Sequence, residues 1–168
     1  MIGALQFLNL LLVAIVLTTT LGHALEHPGK LRLSKEEYLS TQQIYYPGFT
    51  YAGVAEPVSI LAVSLQAWFL RETSGLFWSS LAAALLLIAA HAVYWFVTHP
   101  INSVWLKKIE LKGGGKTFFE INKGGGATDW PLLRDRWEYS HLARAACVLI
   151  AFILLAAIAT NPLPMSLV

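Results

Sequence analysis

The chain has 168 residues, of which 56% are hydrophobic and only 13% charged, with a formal net charge of +2. A soluble domain carries about 25% charged residues, so this is the composition of a membrane protein, and no basic face on a soluble fold is available for nucleic acid. The single cysteine, Cys147, excludes an intrachain disulfide and a thiol-rich metal site.

Ile2 to Ala24 form the first apolar run, interrupted only by Gln6, Asn9 and Thr18 to Thr20. A secretory leader is the rival reading. No basic segment precedes the run, however, and it is long enough to span a bilayer, so it is expected to be retained. It leaves through GHALEHPGK, where His23 and His27 share a helical face at i, i+4 and Pro28 is expected to end the helix. From Lys30 to Gly48 the chain turns polar. Ser34 to Glu37 has the capping-box pattern, which predicts a short surface helix to about Tyr45. Its tyrosines, with Tyr46, suit a headgroup-level position. The second span runs over about 49–70 and carries Glu56 in its first two turns, before Pro57, which is expected to kink or restart the helix. A carboxylate there is costly unless paired or protonated. The short turn from Arg71 to Gly75 makes spans two and three antiparallel neighbours.

Span three, about 76–98, is nearly pure Ala and Leu until His91 and ends in HAVYWFVTHPINSVW. At about 100° per residue His91, Trp95, Thr98 and Asn102 share one face if the helix survives Pro100, with His99 a quarter-turn away. Such a polar and aromatic stripe must face protein or trapped water, because hydrocarbon offers it no partner. In the loop that follows, Gly113–Gly115 and Gly124–Gly126 bracket Thr117 to Ile121. That segment reads as a short strand or hairpin, or as a hinged flap over the bundle. Its GGGK lacks the second half of a phosphate-loop motif. The last span covers about 135–160, with Asp129 and Pro131 ahead of it as a cap and a helix start. Arg134, Glu138, His141 and Arg144 recur at spacings of three and four on its first turns, and Arg134 is expected to pair with Glu138.

The fold class is therefore an all-α membrane protein. The reading is a single domain over 1–168, a four-transmembrane-helix bundle with spans of about 2–24, 49–70, 76–98 and 135–160 and loops over 25–48 and 100–134. Four passes bring His23, His27, Glu56, His91, His99, Glu138 and His141 to one end. The other end is nearly featureless, with Asn9 and the Arg71–Glu72 turn as its main polar points. Most Lys and Arg lie in the first and third loops, so both loops are expected to be cytoplasmic and both termini external, in a bacterial inner membrane. Taken singly, each histidine also fits a plain helix-end role, Arg134, Arg136 and Arg144 fit lipid phosphates, and Trp68 and Trp78 fit a far-side belt. Glu56 has few innocent explanations.

The second half of the chain resembles the anthrone oxygenase-like family of small four-helix membrane proteins. The resemblance rests on HPINSVWLKK and DWPLLRDRWEYSHLARAA. The family pattern is similar to an asparagine with a following tryptophan, then W-x-x-L-R-x-R-W-x-x-x-H-x-x-R. It falls here on Asn102, Trp105, Trp130, Leu133, Arg134, Arg136, Trp137, His141 and Arg144. Enzymes of that family oxidise anthrones to anthraquinones with O2 and no flavin or metal. The resemblance implies a base at His141 or His91, with Arg144 and Asn102 stabilising an enolate oxygen. Trp95, Tyr94 and Trp105 would hold the rings beside His99 and Trp137, and Glu56 would orient a histidine. No cofactor is expected on this reading, and the partners are the lipid bilayer and a hydrophobic aromatic small molecule. Two alternatives stand beside it. One is a redox protein binding iron, copper, haem or a quinone, with metal ligands drawn from His23, His27, Glu56, His91, His99, Glu138 and His141. The other is a non-catalytic subunit of a larger membrane complex or a homo-oligomer.

Overall fold

The computed structural model describes residues 2–105 and 129–161. The glycine-rich segment, with its strand, hairpin or flap, lies outside the described residues. Helix α1 (Ile2–Lys30) runs 29 residues. Pro28 does not end it. The proline removes one N–H from the last turn only, and the ladder resumes with Leu31 N donating to His27 O at 3.1 Å. The extra turn carries Lys30 to the mouth of the bundle.

Helix α2 (Lys35–Thr41) begins at the expected capping box: Glu37 N donates to Ser34 Oγ and Ser34 N to Glu37 Oε2. The bond from Ser34 N first, with the Ser34 hydroxyl beside it, holds the Glu37 carboxyl below the usual range. A 3-10 turn, Gln42–Tyr45, continues α2. Tyr38, Gln42 and Tyr45 are all buried, at spacings of four and three, so the segment is amphipathic and its aromatic face turns inward. Tyr38 and Tyr45 therefore face protein. Both belong to a second core with Ile101, Trp105 and Trp137. Burial above all, with the carboxylates of Glu138 and Glu26 respectively, pushes both hydroxyls up, so they stay protonated donors.

The second span is two helices, α3 (Gly48–Ala52) and α4 (Ala55–Phe69). Pro57 is the third residue of α4, where its missing N–H leaves no gap in the ladder, so the chain restarts rather than kinks. Helix α5 (Ser74–Val93) passes into a π-helical turn, Tyr94–Thr98, and then α6 (His99–Trp105). The wider turn gives the Pro100 ring room against the preceding carbonyls, which is how the helix survives it. Helix α7 (Trp130–Thr160) has Pro131 in its first turn, but Asp129 makes no side-chain capping bond. Arg134 pairs with Asp135 at 2.8 Å rather than with Glu138.

Among the described residues, four helical spans are long and apolar enough to cross a membrane, α3 and α4 together forming one of them, and the chain is an integral membrane protein. Helix α1 packs on α4 and α7, and α5 packs on the same two. This is an up-down-up-down ring whose neighbours are antiparallel. Its centre is Val13 and Val16, Val63, Ala83, Ala84, Leu87 and Ala90, Val148, Ala151 and Leu155. The alanines let α5 and α7 approach closely. Leu61, Trp68, Trp78 and Ile153 are exposed on the outside, as lipid-facing side chains are. Far from the histidines, Asn9 Nδ2 donates to Gln66 Oε1 at 2.8 Å and Gln66 Nε2 to Ser80 Oγ at 3.1 Å, stitching α1, α4 and α5.

Candidate functional site

At the polar end the bundle encloses a cavity of about 360 Å³, large enough for a small-molecule ligand. Helix α1 supplies His23, the 3-10 turn and α3 supply Tyr45 and Phe49, and α4 supplies Glu56. The α5–α6 stretch adds His91, Tyr94, Trp95 and Asn102, and α7 adds Trp137, His141 and Arg144. Most of the wall is apolar or aromatic, and the ionisable groups form two clusters.

The first cluster is centred on Glu56. Its side chain is buried, and Arg144 Nη2 donates to both carboxylate oxygens, at 3.1 and 3.3 Å. His91 Nδ1 stands 3.5 Å from Oε2, and Trp95 Nε1 donates to His91 Nε2 at 2.9 Å. An imidazole whose Nε2 accepts carries its hydrogen on Nδ1, here facing Glu56. Nε2 of His91 is thus bonded, while its Nδ1 faces Glu56 with no hydrogen-bond partner among the described residues. The Arg144 guanidinium also lies 4.9 Å from the centre of the Tyr94 ring, while its Nε has no hydrogen-bond partner among the described residues. A buried carboxylate and guanidinium in this contact cancel each other's charge and leave one edge of the arginine for a ligand.

The second cluster is a pair of imidazoles. The His23 and His141 rings are 4.0 Å apart between centroids and tilted by 43°. Trp137 packs on both, at 4.2 Å from His141 and 5.0 Å from His23. His141 is buried, and neither of its nitrogens has a hydrogen-bond partner among the described residues. Behind His23 lies Lys30, buried despite its charge, with Nζ 2.9 Å from Glu26 Oε2 and 3.4 Å from His23 Nδ1. The Tyr45 hydroxyl donates to the same Glu26 carboxylate.

Other residues singled out from the sequence stand outside the cavity, Asn102 excepted. Thr98 is buried and bonded to Ser140 of α7 at 2.8 Å. His99 is buried with its ring 4.9 Å from Trp95, so it backs the wall instead of lining it. Trp105 packs among Tyr38, Trp130 and Trp137. Asn102 lines the cavity, but its Oδ1 already accepts from Trp137 Nε1 at 2.7 Å. Glu138 is fully buried and is held by the Tyr38 hydroxyl at 2.7 Å and by His27 at 3.3 Å. The alternative metal-ligand set therefore divides: among the described residues no three His, Cys, Asp or Glu side chains gather around one point. Sequence reasoning missed Lys30, Glu26, Tyr45 and Phe49. The first two had a signal, since His23, Glu26, His27 and Lys30 recur at the i, i+3, i+4, i+7 spacing of one helix face.

A family model described as Anthrone oxygenase matches residues 45–154. That range is well over half of the chain and includes both Glu56 and His141. His23, Glu26 and Lys30 precede it. No curated protein and no solved structure matches.

Proposed function

The chain belongs to the anthrone oxygenase family, and from that premise we propose that it oxidises the acidic methylene carbon of an anthrone-like aromatic ketone to a carbonyl with O2. Such a carbon loses a proton to give a delocalised carbanion, which is itself the reductant of O2. The sum is one methylene and one O2 giving one carbonyl and one water, so the substrate supplies all four electrons that O2 takes up and the reading needs no cofactor. What the protein contributes is a base, an oxyanion partner and a cavity that excludes water.

The observation that carries this reading is His141: a buried imidazole with both nitrogens unbonded among the described residues, on the wall of an aromatic cavity. His91 is the weaker base because Trp95 already donates to its Nε2 lone pair. Arg144, paired with Glu56 on one edge, takes the carbonyl oxygen that becomes an enolate. Trp95, Tyr94 and Trp137 hold the rings. The Lys- and Arg-bearing loops favour a cytoplasmic position for this end of the bundle, with both termini external, in a bacterial inner membrane. Purified protein given anthrone is expected to consume O2 and form anthraquinone, and His141→Ala to lose at least about 100-fold in rate, the usual worth of a general base. Wild-type rates in a folded His141→Ala protein would sink the assignment.

A further inference from the structure

His23 has a fixed role that its tautomer decides. Lys30 is paired with Glu26 at 2.9 Å and is an ammonium, which donates hydrogen bonds and accepts none. Its Nζ is 3.4 Å from His23 Nδ1, so that nitrogen accepts and the ring carries its hydrogen on Nε2. The competing arrangement has Nδ1–H donating to Glu26. That carboxylate oxygen is 3.9 Å away, beyond hydrogen-bond reach, and already receives Lys30 and the Tyr45 hydroxyl. Lys30 is itself fixed in place, buried with its Nζ 4.7 Å from the Tyr45 ring centre and 4.9 Å from that of Trp137. Of the two facing imidazoles, then, one is a donor with its lone pair taken, and the other, His141, has both nitrogens unbonded among the described residues.

We propose that His23, held by Lys30 as the Nε2–H tautomer, is the hydrogen-bond donor that stabilises the oxygen added at the carbon His141 deprotonates. This rests on the oxygenase reading above. With the ring centroids 4.0 Å apart, one carbon and the oxygen joined to it fall within reach of both imidazoles. The substrate's own carbonyl lies across its central ring and falls to Arg144. In the first step His141 takes a proton from the methylene. The carbanion passes one electron to O2, and the radical pair closes a C–O bond as a peroxide anion, which takes the proton back from His141. His141 then removes the second hydrogen as a proton. The electron pair of that C–H bond becomes the C=O bond, the O–O bond breaks, and hydroxide leaves with the proton from His141 as water. His23 shares its hydrogen with the peroxide and then the departing hydroxide without surrendering it. This is electrostatic stabilisation by a neutral imidazole. Lys30 is a positioning residue that acts through His23.

The test uses full-length protein in detergent with 15N-labelled histidine, and anthrone as substrate. The spectrum of the wild type is expected to show the His23 hydrogen on Nε2, with Lys30→Met letting it redistribute between the nitrogens. In the same variant kcat is expected to fall about 10- to 100-fold with KM unchanged, since the oxygen being stabilised exists only after binding. Lys30→Arg, which also only donates, restores both. A wild-type His23 with its hydrogen on Nδ1, or a folded Lys30→Met protein with unaltered kcat, overturns the proposal. Absence of any O2 uptake by the wild type would instead remove the oxygenase reading, and the His23 role with it, while the nitrogen spectrum still decides the tautomer.

Discussion

Burial alone does not separate His91, His99 and His141, because all three are imidazoles inside a mostly apolar bundle. Their partners do. Trp95 fixes the tautomer of His91, aromatic rings pack against His99, and His141 alone of the three lines the cavity with both nitrogens unbonded among the described residues. The same reasoning applies to Glu56 and Arg144. Each is expensive alone at this depth and tolerable together. Arg144→Met should therefore destabilise the protein by about 3–5 kcal/mol, the cost of stranding a buried charge. Adding Glu56→Gln should recover much of the loss. Thermal unfolding of the two proteins in detergent checks this, and a double variant no more stable than the single would show that the pair is not the source.

Two departures from regular helix shape the site at the level of elements. The break between α3 and α4 keeps Gly53 on the cavity wall, where a Cβ would come within 3.3 Å of the carbonyl oxygens of Phe49 and Thr50. The π-helical turn admits Pro100 and carries Trp95 and Tyr94 on the cavity wall while Thr98 bonds α7. At the opposite end the helices are held in register by a polar link. Gln66 joins Asn9 to Ser80, and Gln66→Leu would leave both without it in an apolar core. The expected cost is about 1–3 kcal/mol, read as a lower melting temperature, with the kcat of the folded protein unchanged. A drop in kcat would mean that the two ends are coupled.

For the whole molecule, the cavity wall includes Tyr51, Gly53, Val54 and Pro57, all exposed on the outer side of α3 and α4. Among the described residues the cavity is therefore open along α3 and α4, within the second span. An apolar tricyclic substrate dissolved in the bilayer should enter there. In proteoliposomes, raising the lipid at constant total anthrone should lower the rate in proportion to the dilution of substrate in the membrane. A rate that follows only the aqueous concentration would place the entrance elsewhere.

The bundle was legible because hydrocarbon imposes one rule on every span: the backbone must bond to itself, which makes about 20 apolar residues a helix whatever surrounds them. With an even number of passes, connectivity then sends His23, Glu56, His91 and His141 to the same end. The capping box at Ser34 was equally local, and so it could be read. What each side chain does there was not legible, because it depends on groups distant in sequence. Glu138 looked like a partner for Arg134 one turn away, yet Tyr38, a hundred residues distant, claims it. Nothing local to Tyr38 and Tyr45 signalled that both would pack into a core with Ile101, Trp105 and Trp137. By itself the sequence determined the spans, the end that carries the polar groups and the family. Only the tertiary structure decided which imidazole is engaged and which is bare, since a hydrogen bond is made across a few ångströms of space and periodicity along one helix carries no information about what comes to meet it.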